Sequence, residues 1–248
     1  MIYIFVIGLI FGSFFNVVGL RVPKKQSIIA PRSACPACNH QLTAVELIPV
    51  FSYVLQQGKC RNCRKQISPL YPFIELLTAI LFAISPFLVG WSKELIISWT
   101  LVSLLMIIFV SDVKYMIIPD KVLLFFAVIF MMERVIVPLT PWWDSFQGAV
   151  IGFSLLFLIA FVSKGGMGGG DIKLFAVIGL ALGVKMVLLS FFLATLFGAF
   201  FGFLVIAVGK AKRREPVAFG PYIVLGTLIA YFFGEVIFSW YISIWFGS

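Results

Sequence analysis

Charged residues are scarce in this sequence. Of its 248 residues only 12% are Asp, Glu, Lys or Arg, whereas a soluble domain carries about a quarter. Apolar residues make up 62%, the mean hydropathy is +1.10, and several apolar runs approach or exceed the roughly 18 residues that cross a bilayer. The composition therefore excludes an ordinary soluble domain and predicts a polytopic protein whose main partner is the lipid bilayer.

Histidine is almost absent, since His40 is the only one. A single histidine excludes the HExxH metalloprotease motif, which needs two, and it leaves no Ser–His pair that plausibly shares a membrane face. A basic segment before the first apolar run is also missing, as is a small-x-small cleavage site after it. We therefore expect residues 1–20 to be a retained helix and not a signal peptide.

The apolar runs predict an all-α integral membrane fold with about eight transmembrane helices. Residues 1–20 form the first, residues 21–71 a polar domain, and residues 72–248 the polytopic membrane domain. The segment 172–183 is short for a span. The expected spans are 1–20, 71–89, 95–111, 122–139, 146–162, 172–183, 186–208 and 219–246.

The placement of Lys and Arg predicts the orientation. The net charge is +9, and 16 of the 19 basic residues fall in segments 21–71, 112–121, 163–173 and 209–216. Membrane proteins concentrate Lys and Arg on the cytoplasmic side, so these segments are expected to be cytoplasmic and no nucleic-acid partner is expected. Asp112 and Asp171 then fall at the same, cytoplasmic, membrane face.

All four cysteines lie in the polar segment, as two CxxC pairs. Cys35 and Cys38 form the first pair, and Cys60 and Cys63 the second. Two such pairs complete a closed tetrahedral zinc site, and a small domain gains stability from a bound metal. We predict structural Zn²⁺ here, with redox or metal-free roles as the alternative. His40 is expected at the surface, outside the four-thiolate shell.

Two aspartates stand at the ends of apolar runs. Asp112 closes the third expected span, and Asp171 follows the glycine-rich loop in a GxGD pattern that includes Gly168 and Gly170. Two carboxylates on different helices of one membrane face can share a proton and activate water, as in aspartic proteases. Asp112 and Asp171 are the predicted catalytic residues, and the glycines let the loop move.

Other interpretations of these aspartates remain open on the residues alone. Each aspartate could cap or flank a helix end, with Lys114 and Lys173 anchoring to lipid headgroups. A transporter could use Asp112 and Asp171 as a proton or cation relay, and a zinc-stabilised scaffold would need neither. Asp120 follows Pro119, which is typical of a residue that caps the next helix.

The ordered motifs of the whole chain resemble those of the bacterial type IV prepilin leader peptidases, which are GxGD membrane aspartic proteases. They are GLIFGSFFNVVGLRVP at 8–23, the paired CxxC motifs, Leu47–Pro49, Tyr71-Pro72 with Glu75-Leu76, the segment 112–120, and GGMGGGDIKL at 165–174. Short chains of this layout are similar to the branch that processes competence pseudopilins.

The resemblance implies a function and a site. The family removes the short basic leader of prepilins and pseudopilins after a glycine, at the cytoplasmic face of the bacterial inner membrane. Its two catalytic aspartates correspond to Asp112 and Asp171. Many members also N-methylate the new terminus with S-adenosylmethionine. Because the cytoplasmic loops here are basic, Glu46 or Glu75 is a hypothetical contact for the basic leader.

Overall fold

The computed structural model describes residues 1–164, 166–207 and 218–247. Within these residues the regular secondary structure is helical, apart from isolated β-bridges in the cysteine segment. A short 3₁₀ helix covers Val45–Leu47. The α-helices are α1 Ile2–Arg21, α2 Phe51–Leu55, α3 Leu70–Val89, α4 Glu94–Tyr115, α5 Asp120–Ile136, α6 Asp144–Val162, α7 Gly169–Ala207 and α8 Gly220–Phe246.

The all-α membrane architecture is confirmed. Among the residues that the structure describes, six helices are long and apolar enough to cross a membrane, namely α1, α3, α4, α6, α7 and α8. The fourth expected span is α5, which has 17 residues. The sixth and seventh expected spans form the single long helix α7, which is interrupted at Gly183. Residue 208 and the basic segment 209–216 lie outside the described residues.

The first compact unit comprises Met1–Lys114. Its helices α1 and α3 approach closely, because a Cβ added to Gly8 would lie 2.6 Å from Cα of Ala79, and one added to Gly12 would lie 2.7 Å from Cα of Glu75. Small residues at such spacing are how membrane helices bring their backbones together. The first unit also holds α4, where the Trp99 indole N–H donates to a carbonyl of α3 at 3.1 Å.

The second compact unit comprises Tyr115–Ser248. Gly148 of α6 and Gly179 of α7 face each other so closely that a Cβ on either would collide with the other's backbone. Between α7 and α8, the buried hydroxyls of Ser190 and Thr227 are 2.7 Å apart. Close packing by small residues and hydroxyl pairs therefore holds α6, α7 and α8 together.

Helix α7 is broken at Gly183, whose φ of 79° and ψ of 179° suit only glycine. The guanidinium of Arg134, a buried residue of α5, donates through Nε at 2.8 Å and through Nη2 to the carbonyl of Ala181 before the break. After it, the Val184 N–H donates to Asp144 Oδ1 at 3.4 Å. A cation thus meets the carbonyl end of one half-helix and an anion the amide end of the other, as the helix dipoles favour.

Candidate active site and metal centre

Asp112 lies in the last turn of α4, within the first unit. The helix continues to Tyr115, one turn beyond the end predicted from the apolar run. Asp112 is only 6% exposed. A carboxyl group is rarely buried inside an apolar helix without a functional or paired role, which is consistent with the predicted catalytic role.

Asp171 lies in the first turn of α7, within the second unit. The glycines before it pack tightly, since a Cβ on Gly168 would lie 3.0 Å from Asp171 Oδ2 and one on Gly170 would lie 2.8 Å from Cβ of Ile118. Gly169 has open space around it. The start of α7 therefore needs glycine at 170, whereas a side chain at 168 would require the Asp171 carboxylate to shift by a few tenths of an ångström. Because Asp112 belongs to the other unit, its pairing with Asp171 stays a prediction.

Asp120 is not a capping residue. Pro119 occupies the N-cap of α5, and no side chain caps this helix. Asp120 Oδ2 instead accepts a hydrogen bond at 2.8 Å from Nζ of Lys173, two residues after Asp171. Both side chains are exposed, so the pair contributes about 0–1 kcal/mol. The ion pair links the first turns of α5 and α7.

The four cysteines converge on one point. All four Sγ atoms of Cys35, Cys38, Cys60 and Cys63 lie within 4.8 Å of one another. The Cys35–Cys63 and Cys38–Cys60 Sγ distances are 3.8 and 3.9 Å. Thiolates bound at about 2.3 Å to a tetrahedral zinc ion are about 3.8 Å apart. The donor set and its spacing therefore fit a structural zinc ion, and these distances exclude disulfides.

The two CxxC turns have the same backbone. In each, the N–H of the first cysteine, Cys35 or Cys60, donates at 2.9 Å to the carbonyl five residues later. The residue after the second cysteine, Asn39 or Arg64, is left-handed in both, with φ of 54° and 59°. Two equivalent turns facing each other supply the paired thiolates that a closed zinc site requires.

Thiol acidity differs between the turns. Backbone N–H groups of Ala37 and Cys38 lower the pKa of the Cys35 thiol to about 6. A backbone contact from Lys65 lowers the pKa of Cys63, but burial and the neighbouring thiols outweigh it and raise this pKa to about 11. One thiolate thus forms readily near neutral pH, whereas the full set forms as the metal displaces protons.

Glu46 and Glu75 do not extend into solvent to meet a basic leader. Glu46 is buried, and its Oε2 accepts hydrogen bonds from Thr43 N and Oγ1 at 2.9 and 2.8 Å and contacts His40 Nε2 at 3.3 Å. Glu75 is buried as well, and its Oε2 accepts the N–H of Val50 at 2.7 Å. Both carboxylates bind their own chain. His40 is half-buried and outside the cysteine cluster.

Sequence reasoning missed the residues that support the site. No role was predicted from the sequence for Arg134 or Asp144, which flank the break in α7, and Glu75 was assigned to substrate contact. Only the charge of these residues inside or beside apolar runs indicated a role. Their partners lie far away in the sequence, so no local pattern reveals them.

The fold and the site define a class: a multi-pass helical membrane protein with a four-cysteine module of the zinc-binding type. The chain belongs to the Type IV leader peptidase family. Residues 99–203 match the profile described by that name, and residues 6–89 match the Bacterial Peptidase A24 N-terminal domain. Proteins of this family and helix content are inner-membrane proteins, and so is this one.

Several curated relatives are similar over nearly their whole length. The chain is 46% identical to a protein of Bacillus subtilis (strain 168), covering 98% of each. It is 33% identical to one of Aeromonas salmonicida (strain A449), covering 97% of this chain and 93% of that one. A relative from Neisseria gonorrhoeae is 34% identical, with 97% and 90% covered. All three are named prepilin leader peptidase/N-methyltransferase. No solved structure matches the chain.

Proposed function

We propose that the protein is a membrane aspartic endopeptidase that removes the basic leader of type IV prepilins or pseudopilins at the cytoplasmic membrane face. The observation that carries this proposal is the 46% identity to the Bacillus subtilis prepilin leader peptidase/N-methyltransferase over 98% of both chains. Likeness of that extent includes both aspartate-bearing helices and the cysteine module. Nothing comparable supports the transporter alternative.

Asp112 and Asp171 supply the two carboxyl groups of the proposed reaction. Asp171 begins α7, where the positive end of the helix dipole stabilises a carboxylate, and Asp112 lies near the end of α4, where the dipole disfavours negative charge. Asp171 is therefore assigned as the base that takes a proton from water, and Asp112 as the acid towards the peptide carbonyl. Infrared difference spectra should lose the carboxylic-acid band in Asp112→Asn and keep it in Asp171→Asn.

The cysteine module has a structural role in the proposal. Residues 21–71 form a cytoplasmic domain between the first transmembrane helix (1–20) and the protease domain (72–248). Cys35, Cys38, Cys60 and Cys63 would hold a zinc ion, which supplies structural cross-linking. Since four thiolates leave no open coordination position, water activation falls to the aspartates.

Methyl transfer is the second activity in the proposal. The names of the relatives pair the peptidase with an N-methyltransferase, and S-adenosylmethionine is the expected methyl donor. The new N-terminal amine of the cleaved substrate is the acceptor. Incubating purified protein with a prepilin peptide and S-adenosylmethionine should add one methyl group to the mature fragment, as read by mass spectrometry.

A cleavage assay tests the endopeptidase. Purified protein in lipid nanodiscs is mixed with a peptide that spans a basic leader, a glycine and an apolar helix, and the leader fragment is measured. We expect Asp112→Asn and Asp171→Asn each to reduce cleavage by about 10²–10⁴-fold, because each removes a general acid or base. Asp120→Asn is the matched control, since it removes only an exposed ion pair.

Three outcomes would overturn the assignment. Full cleavage in both Asn variants would place the catalytic groups elsewhere. A larger loss of cleavage in Asp120→Asn than in Asp112→Asn would assign the catalytic role to Asp120 and not to Asp112. Proton or cation flux that depends on Asp112 and Asp171, in vesicles without any peptide cleavage, would favour a transporter.

A further inference from the structure

The segment between α1 and α3 exposes a set of large apolar side chains, although it is the most polar part of the chain. Val54 and Leu55 of α2 are 64% and 63% exposed, and α2 buries none of its residues. Exposed apolar clusters of this kind mark interaction surfaces. We define the apolar patch as Val45, Leu47, Ile48, Phe51, Val54 and Leu55.

A hydrogen bond places the patch at the level of the lipid boundary. The N–H of Val50, directly before α2, donates to Glu75 Oε2 at 2.7 Å. Glu75 follows Leu70, the first residue of α3, by about 7.5 Å along the helix axis. Because α3 is about 30 Å long, close to the thickness of the hydrocarbon region, this position lies about 7.5 Å inside the edge of that region, within the roughly 5–10 Å to which interfacial elements insert. The neighbouring Phe73 of α3 is itself 51% exposed.

The backbone fixes this placement at an energetic cost. Val50 has a φ of 60° and a ψ of −50°, which are rarely adopted by a β-branched residue. The turn is closed by the Phe51 N–H, which donates to the carbonyl of Pro49 at 2.5 Å. Such conformations persist only where the surroundings determine them. The hydrogen bond from the Val50 N–H to Glu75 is one such contact.

The charge of the same segment indicates the chemistry of the partner. Segment 21–71 contains eight Lys and Arg residues, and its only acidic residue is the buried Glu46. Anionic headgroups attract Lys and Arg residues that lie near the membrane surface. A basic prepilin leader is repelled by them. The basic residues are Arg21, Lys24, Lys25, Arg32, Lys59, Arg61, Arg64 and Lys65.

We propose that the apolar patch inserts into the boundary between headgroups and acyl chains of an anionic bilayer leaflet, while the basic side chains of segment 21–71 contact the headgroups. Elements that lie in the membrane interface combine apolar and cationic surfaces in this way. The cysteine module would then lie flat on the membrane and not project from it. This inference does not depend on the proposed catalytic function.

Site-specific photocrosslinking tests the insertion. p-Benzoylphenylalanine replaces Phe51 or, as the matched control, Ile29, which is 86% exposed in the same basic segment but outside the patch. The full chain is reconstituted in nanodiscs of phosphatidylglycerol or of phosphatidylcholine and irradiated. We expect a mass increase of one phospholipid at position 51, more of it with phosphatidylglycerol, and little at position 29.

Other outcomes would overturn the proposal. Equal lipid adducts at positions 51 and 29 would show that the patch has no special depth. An adduct with a second copy of the chain, or with an added prepilin peptide in preference to lipid, would assign the patch to a protein partner. Because Phe51 is exposed and its substitution leaves the core unchanged, an unchanged circular dichroism spectrum and unfolding temperature confirm that each variant is folded.

Discussion

At the residue scale, the start of α7 has open space at Gly169, a tight contact with the Asp171 carboxylate at Gly168 and no room for a side chain at Gly170. A Cβ at 168 would approach the Asp171 carboxylate, and one at 170 would collide with Ile118. The glycines therefore set the distance between Asp171 and its surroundings, in addition to giving the loop freedom to move.

We predict that Gly170→Ala lowers the rate of leader cleavage by about tenfold to a hundredfold, since a shift of about 1 Å in a catalytic group has this effect. Substrate binding should change much less. Gly169→Ala is the control, because it adds the same methyl group in open space. Equal losses of kcat in the two variants, or a loss confined to KM, would contradict a positioning role for Gly170.

Glu46 makes the stability of the cysteine module depend on pH. The hydrogen bond from the Thr43 backbone N–H lowers the pKa of Glu46 below its ordinary value. Its contribution is therefore complete above the unfolded-state pKa and is lost as the pH falls through the lower, folded-state pKa.

We expect Glu46→Gln to cost about 1–3 kcal/mol at neutral pH, because a charged acceptor is lost from a buried site. The cost should shrink as the pH falls through the lowered, folded-state pKa of Glu46, where the native carboxylate also becomes protonated. Hydrogen exchange of residues 33–66, recorded during denaturation of the module, measures this cost at neutral and at acidic pH. A pH-independent difference between the variant and the parent would refute the assignment.

At the scale of elements, the interrupted α7 depends on two charged residues from other helices. Arg134 supplies donors to the carbonyl of Ala181 and, at 3.4 Å, to that of Val137. Asp144 accepts the amide after the break. Backbone groups at a helix end inside a membrane need such partners, since hydrocarbon provides none.

We predict that Arg134→Met destabilises the second unit by about 1–3 kcal/mol, as expected when buried carbonyls lose a charged hydrogen-bond donor. Arg134→Lys should recover part of this loss, because one ammonium group cannot bridge both carbonyls. Thermal unfolding in detergent measures the difference. Lys185→Met, which removes an exposed ion pair with Glu235, serves as the control and should remain near the parent.

At the scale of the whole molecule, much of the helix pattern was predictable from the sequence. Each expected span overlaps a helical segment, because runs of apolar residues are dictated by the bilayer. The CxxC spacing likewise predicted the cysteine cluster. The two halves of α7 were predicted as two separate spans, so the break at Gly183 was not foreseen. Asp120 was predicted to cap α5, whereas it forms an ion pair with Lys173. These features depend on contacts such as Asp120–Lys173, between residues 53 positions apart.

Metal removal should unfold the cysteine module and leave the membrane helices folded. We expect a strong zinc chelator to release one zinc ion per chain and to make the cluster of basic residues at 59–65 accessible to trypsin, because such small modules fold with their metal. The helix signal in circular dichroism should hardly change, since the transmembrane helices are stabilised by their own packing. Cys35→Ser should reproduce the effect without chelator. Resistance to trypsin after complete metal loss would count against a structural zinc.

The break at Gly183 has a consequence for the access of water. Residues 169–182 rise about 21 Å as an α-helix, whereas the hydrocarbon region is about 30 Å thick. The half-helix that carries Asp171 in its first turn is therefore about 9 Å shorter than that region, and its Leu174, Phe175 and Ile178 are completely buried among protein side chains. We expect the shortfall to let the aqueous phase reach the Asp171 end of this half-helix, and with it the water molecule that peptide hydrolysis consumes.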